Sequence, residues 1–307
     1  MLDSVTPGHV SLSALSGFVP LASELCDLKR LRDASSPRSL ASRMFRAAWG
    51  ALAAGQDVES VALTSTAQAL AACRLGGIDF RVLREIGLEA DEAVEVLRGG
   101  FDEVSAPIEN ALQLRLRDTL HGSLRAGSAP AFVATLIRQP RAGATCPGKP
   151  RIVLEPPEGH GDHCFVVAVL GTILAPHFGA DPSTAFLAGM AHHLHNADLP
   201  DSGFAGEILL GAHLTPVIRR LFDRELATLP PELRAATAAA LATIPDASTP
   251  GGRAFHAADV IDRVLQMRHY HQVAGFTIDQ ALDDMDLVHA GPTQAFHMDV
   301  LRDAGLP

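Results

Sequence analysis

The apolar and polar positions of the chain fall into helical stripes separated by proline and glycine stops. In "SPRSLASRMFRAAWGALAAG", residues 36–55, Ser36 stands where an N-cap would, Pro37 at the first helical position, and Leu40, Met44, Ala47 and Ala48 form one apolar stripe before Gly55. "DVESVALTSTAQALAACRLGG" repeats the pattern from Asp57 to the Gly76-Gly77 stop. Shorter helical patterns are expected at 91–98 and 106–125. "AFVATLI", 131–137, fits a short helix or a buried strand, and periodicity does not separate the two. Beyond residue 162 a helix is expected over 163–177, and "DPSTAFLAGMAHHLHN" opens another with Asp181 as N-cap and Pro182 at the first helical position. Pro216, Pro230 and Pro245 punctuate further helices, "RAFHAADVIDRVLQMRHYHQ" makes a long amphipathic one, and "TIDQ", 277–280, is a capping box. No β-rich region or internal repeat interrupts the series, so the expected fold class is all-α.

Residues 139–162 break the pattern, because five prolines and four glycines preclude a long helix there. The expected organisation is an N-terminal helical domain over 1–138, a Pro/Gly-rich linker over 139–162 with "RIVL" as a short strand, and a second helical domain over 163–307. The linker contains "GATCPGKP", which matches G-x-x-x-x-G-K. A phosphate loop needs a Ser or Thr hydroxyl where Pro150 stands and a helix where "RIVLEPPEG" follows, so the nucleotide-loop reading is set aside.

Composition narrows the function classes. The 307 residues are 47% hydrophobic and 20% charged, a balance that supports a folded globular protein. No uncharged apolar run reaches membrane-spanning length, and "MLDSVTPGHVSLSALSG" lacks a basic segment ahead of an apolar core, so a cytoplasmic protein without membrane contact is expected. Cys26, Cys73, Cys146 and Cys164 are far apart and read as reduced thiols. A net charge of -10 without Lys/Arg runs argues against nucleic acid as a partner. A small-molecule substrate is the expected partner. The first half carries no chemical motif, which leaves capping of the site, homodimerisation or partner binding as its roles.

Histidine is distributed unevenly: of 14 residues, only His9 and His121 precede residue 150. "GMAHHLHNAD", 189–198, holds three of them. Helical spacing puts His192 and His195 side by side, with Gly189 and Ala185 below His192 as small residues that admit a neighbouring helix. On a continuous helix His193 points roughly 100° away from His192.

"HCFVVAVLGTILA", beginning at His163, resembles the first motif of the HD-domain metal-dependent phosphohydrolases. "AFLAGMAHHLHNAD" resembles their second motif and "FHAADVIDRVL" their last; His192 lies 29 residues after His163 and Asp259 67 after His192. The resemblance spans about residues 150–275 and implies an HD-like helical bundle with His163, His192 and Asp259 as metal ligands. This chain has His193 where that family has its bridging Asp. A neutral imidazole offers one lone pair and does not bridge two ions as a carboxylate does, so the implied site is mononuclear. Three histidines and one aspartate suit Zn, Fe, Mn or Co. His193 is the substitute-ligand candidate, with His213 and His195 as further ones.

A metal-dependent hydrolase of a phosphate ester or nucleotide-like molecule follows as the expected function. Asp198, Asp201 and Glu207 are the acidic candidates to protonate a leaving group, Asp198 first, and Lys149, Arg151 and Arg253 are the candidates to neutralise substrate phosphate. Two other readings remain: an HD-type module that has lost catalysis and works by binding or regulation, and an HD-fold iron oxygenase drawing on His213 and His256. His177, His269, His271, His289 and His297 read as ordinary core or surface residues.

Overall fold

The computed structural model describes residues 12–274 and 277–307; most of the N-terminal stretch read above for targeting signals lies outside the described residues. The first half contains α1 (Val19–Asp27), α2 (Leu40–Ala53), α3 (Val58–Leu75), α4 (Phe80–Glu85), α5 (Ala90–Asp102), α6 (Asn110–Asp118) and α7 (Ala131–Arg138). The second contains α8 (His160–Phe178), α9 (Pro182–Ala191), α10 (Gly203–Leu210), α11 (Leu214–Leu226), α12 (Pro231–Leu241), α13 (Pro250–Ala274) and α14 (Gln294–Asp303). The fold is all-α; among the described residues β pairing is limited to isolated bridges, one of which, Ala144 to Ile152, stands where "RIVL" suggested a strand.

Local chemistry explains most helix starts. Asp57 and Asp181 accept from Ser60 N and Thr184 N, as their positions before the apolar stripes predict. The start of α2 differs from expectation: Ser39, not Ser36, is the N-cap and accepts from Ser42 N at 3.0 Å. The hydroxyls of Ser39 and Ser42 both donate to Asp162 Oδ1, so burial against α8 selects the later serine. The "TIDQ" capping box forms, with Thr277 N donating to Gln280 Oε1 and Gln280 N to Thr277 Oγ1, but it opens a π-helical turn over Gln280–Asp284.

Helix α8 is the axis on which the rest assembles. It is buried nearly end to end and is packed by α9, α13, α2, α3 and α7. By length and composition it could cross a membrane, but 89% of its apolar window is buried inside the protein. The expected small-residue crossing is present: a Cβ on Gly189 would lie 2.5 Å from Ala168 Cα, so only glycine lets α9 approach α8 this closely. Phe45, Trp49 and Phe132 from the first half and Phe165 and Phe186 from the second share one hydrophobic core. Residues 139–162 are tied down against it, with Arg141 N donating to Glu158 O and His160 N to Gln139 O. That arrangement brings Arg141 and Glu158 to the start of α8, beside the histidines.

Candidate metal centre and its cavity

The three motifs meet. His163 Nε2 lies 3.0 Å from His192 Nε2 and 3.3 Å from Asp259 Oδ1, and ligand atoms of His163, His192 and His193 all lie within 4.8 Å of one another. This partly buried cluster can hold a metal ion.

The opposing positions of His192 and His193 are resolved by where α9 ends. His192 is its C-cap, and His193 departs from helical geometry at φ -108, ψ 19 before a 3₁₀ turn at Leu194–Ala197. That is the sparsely populated bridge region between helix and strand, common at functional sites. The ring centroids of the two histidines consequently lie 4.2 Å apart, and both face His163, at 5.0 and 5.2 Å.

The outward nitrogens define what the inward ones can do. His163 Nδ1 is 2.7 Å from Asp262 Oδ2, His192 Nδ1 is 2.8 Å from Gly189 O, and His193 Nδ1 is 2.7 Å from Asn196 Oδ1. The Asn196 amide is oriented by its own donation to Leu199 O, which leaves Oδ1 as the acceptor. Each outer partner is an acceptor, so each Nδ1 carries a proton and donates it. The neutral tautomers then aim three Nε2 lone pairs inward, next to the Asp259 carboxylate. A proton on one nitrogen satisfies one pair of these groups, whereas a cation satisfies all of them at once. Outward hydrogen bonds of this kind are what fix metal-binding imidazoles.

Electrostatics favour the same protonation pattern. Burial, followed by the neighbouring His163, pushes His192 down to about 3, and burial with His192, His160 and His163 around it pushes His193 well below the ordinary range. Burial opposes the charge on Asp259, but a hydrogen bond from His163 Nε2 and the Arg263 guanidinium outweigh it and hold the carboxyl well below its usual value; a bound cation would take the place of that one shared proton.

Beneath His163 lies a buried charge network. Asp262 Oδ1 meets Lys29 Nζ at 2.5 Å and accepts from Cys26 Sγ at 3.4 Å, and Lys29 Nζ also donates to Glu158 Oε1 at 2.6 Å. Lys29 follows α1, so the N-terminal half supplies the cation that balances the carboxylate orienting His163. Burial opposes Lys29's charge, yet Asp262 and Glu158 raise its pKa.

The cluster opens onto a cavity of about 870 Å³. His192, His193 and Asp259 line its floor, and Arg141 and Arg263 are the cations nearest them in the lining, Arg263 Nη1 being 3.7 Å from Asp259 Oδ2. Asp201 and Glu207 line the same cavity. His160, one turn before His163, is buried with Nδ1 donating to Gln139 O and Nε2 3.5 Å from Asp201 Oδ2.

Several sequence-based candidates lie elsewhere. Asp198 is exposed and ion-paired with Arg224 outside the cavity lining, because the 3₁₀ turn carries it away from the rings. Lys149 is exposed, 4.0 Å from Asp284. Arg151 donates to Ala142 O and Ser202 O and ties its own loop to the start of α10. Arg253 stacks over Phe178 and Phe296. His213 is exposed on the turn before α11 and outside the cavity lining. His195 packs against Phe222. His256 spends Nε2 on Ile244 O and Nδ1 on His297 Nε2, in a pair apart from the cluster.

The residues missed in the sequence are Lys29, Glu158, His160, Asp262 and Arg263, whereas Arg141 stands out there as a positive charge of the linker, beside Lys149 and Arg151. Three of them had a local signal: Asp262 and Arg263 stand three and four positions after Asp259, and His160 three before His163, all on ligand-bearing helix faces. Lys29 and Glu158 come from loops, with no periodicity to mark them.

Comparison with protein-family models, with curated proteins and with solved structures finds no match for this chain.

Proposed function

We propose that this chain is a metal-dependent phosphate-ester hydrolase of the HD-domain type that its motifs resemble, with one divalent transition ion held by His163, His192, His193 and Asp259. The observation that carries the reading is the set of three outward-donating imidazoles whose Nε2 lone pairs converge beside a carboxylate. The donor set of three nitrogens and one oxygen fits Zn, Fe, Mn or Co better than Mg or Ca. Such an ion supplies a Lewis acid and lowers the pKa of coordinated water toward neutrality.

The other tasks fall to the chain's own residues. Asp262, the Gly189 carbonyl and Asn196 hold the three rings in one tautomer. Arg141 and Arg263 are available to orient anionic oxygens at the cavity floor. The cavity carries six carboxylates, Glu158, Asp201, Glu207, Asp223, Asp259 and Asp286, against the three guanidinium groups of Arg141, Arg219 and Arg263. A phosphate therefore enters favourably only with an added cation. Glu207, whose carboxyl is raised by burial and by Asp201, is suited to hold a proton for a leaving oxygen. Asp201 is held below its usual value, with burial outweighed by His160 and the Ala142 N–H, and stays ionised.

The test is reconstitution. Protein stripped of metal and reloaded with Mn, Fe, Co or Zn is expected to release phosphate from p-nitrophenyl phosphate only when loaded. Loaded protein that hydrolyses no phosphomonoester would contradict the reading.

A further inference from the structure

Far more space lies above the cluster than a phosphate group and one ion require, and its lining is mixed. Beside the charged groups stand six apolar side chains, Ile218, Phe222 and Leu226 of α11 and Leu241, Ile244 and Phe255, a stretch that begins at the cluster itself, where Phe255 packs 5.1 Å from the His192 ring. Ile218, Phe222 and Leu226 recur at four-residue spacing, a single apolar stripe on an amphipathic helix. Such a stripe ordinarily packs into a core. Here none of the thirteen residues of α11 is buried, because the stripe faces the cavity. Phe222 and Leu226 touch the core on one side only, so the stripe is half covered and its remaining surface faces the cavity.

A second observation lies beside it. Helix α10 contributes Phe204 and Glu207 to the lining, while its Ile208 and Leu209 remain 54% and 88% exposed. The cavity thus has an apolar wall and an apolar edge next to it. Arg219 and Asp223 line it too, but from exposed positions on α11. A base or sugar moiety calls for hydrogen-bonding partners, and the six apolar side chains offer none; Thr215, the other polar residue of α11 in the lining, is exposed as well.

We propose that the α11 side of the cavity binds the hydrocarbon part of an amphipathic substrate, whose anionic head lies at the floor between Arg141, Arg263 and the metal-ligand cluster. The hydrocarbon covers the cavity-facing side of the α11 stripe, and its burial supplies the affinity that a bare phosphate lacks. The position of the head group rests on the hydrolase reading; the apolar chamber does not.

The test separates the two. Metal-free protein is titrated with N-phenyl-1-naphthylamine, an uncharged apolar fluorophore, and Mn-loaded protein with linear alkylphosphonates from ethyl to octyl. The fluorophore is expected to bind wild type and to lose affinity at least tenfold in Phe222→Asp. Phosphonate affinity is expected to rise by up to about fourfold per buried methylene, and Phe222→Asp is expected to flatten the series. A wild-type protein that takes no fluorophore, or a series flat with chain length, overturns the proposal. Phosphomonoester hydrolysis accompanied by that flat series overturns the amphiphile and leaves the hydrolase. Fluorophore binding lost on Phe222→Asp, with no hydrolysis by any loaded form, supports the chamber and contradicts the hydrolase.

Discussion

His163 donates through Nδ1 to Asp262 Oδ2 across 2.7 Å, in a contact between α8 and α13 with no solvent exposure on either side chain. The same carboxylate takes Lys29 on its other oxygen, so the ring, the acid and the base form one buried chain from the N-terminal half to the cluster. Metal-bound imidazoles owe part of their affinity and most of their orientation to such partners.

Asp262→Asn keeps an acceptor within reach of Nδ1 but removes the charge. The expected result is a loss of metal affinity of roughly 10- to 100-fold with the cluster still assembled. Competition against a chromogenic chelator reads this directly, and unchanged affinity would show that Asp262 does not act on the ring.

Lys29→Met tests the other end of the chain. Removing one partner of a buried pair leaves its carboxylates uncompensated, and a destabilisation of about 3–5 kcal/mol is expected in urea unfolding. A change below about 1 kcal/mol would place Lys29 among weak surface-type pairs instead.

Metal-free protein should weaken in acid over a defined window. His192 is held at about 3 and His195 at about 4, burial being the main cause in both, against an ordinary value of 6.5. Below pH 6.5 the unfolded chain gains protons at these positions and the folded chain does not. The stability present above 6.5 is therefore lost as pH falls toward 4, by up to about 1.4 kcal/mol per pH unit for each ring. Thermal unfolding of the metal-free form between pH 7.5 and 4.5 checks the sign. Loading with metal is expected to raise stability across the range without moving that onset, which the unfolded chain sets.

Gly189→Ala places a methyl group on Ala168 at the α8–α9 crossing. Overpacking of this kind costs about 1–3 kcal/mol. Because Gly189 O also accepts from His192 Nδ1, the variant is expected to lose metal affinity along with stability, as a joint unfolding and metal-binding titration would show.

The sequence carried the parts of this site that are local. Asp181 before an apolar stripe set the start of α9, and Gly189 three residues before His192 marked the helix crossing; both are consequences of spacing on one helix. His193 was harder to read, since continuing α9 by one residue turns its ring away, and the end of the helix at His192 depends on a 3₁₀ turn with no proline or glycine to announce it. Asp198 follows the histidines closely in the chain, but nearness in sequence does not carry it into the cavity lining. Lys29 lies 233 positions from Asp262, and no local pattern connects them. Arg141 stands in a proline-rich stretch that reads as a connector and is instead fastened across the cluster by its pairing with Glu158.

The central claim is that His163, His192, His193 and Asp259 hold one transition-metal ion. Metal-to-protein stoichiometry, measured by plasma mass spectrometry on wild type, His192→Ala and His193→Ala after reconstitution and desalting, tests it most directly. About one equivalent in wild type and a loss in both variants is the predicted result. Wild-type protein that retains no ion, or a His193→Ala variant that retains a full equivalent as tightly as wild type, would contradict it.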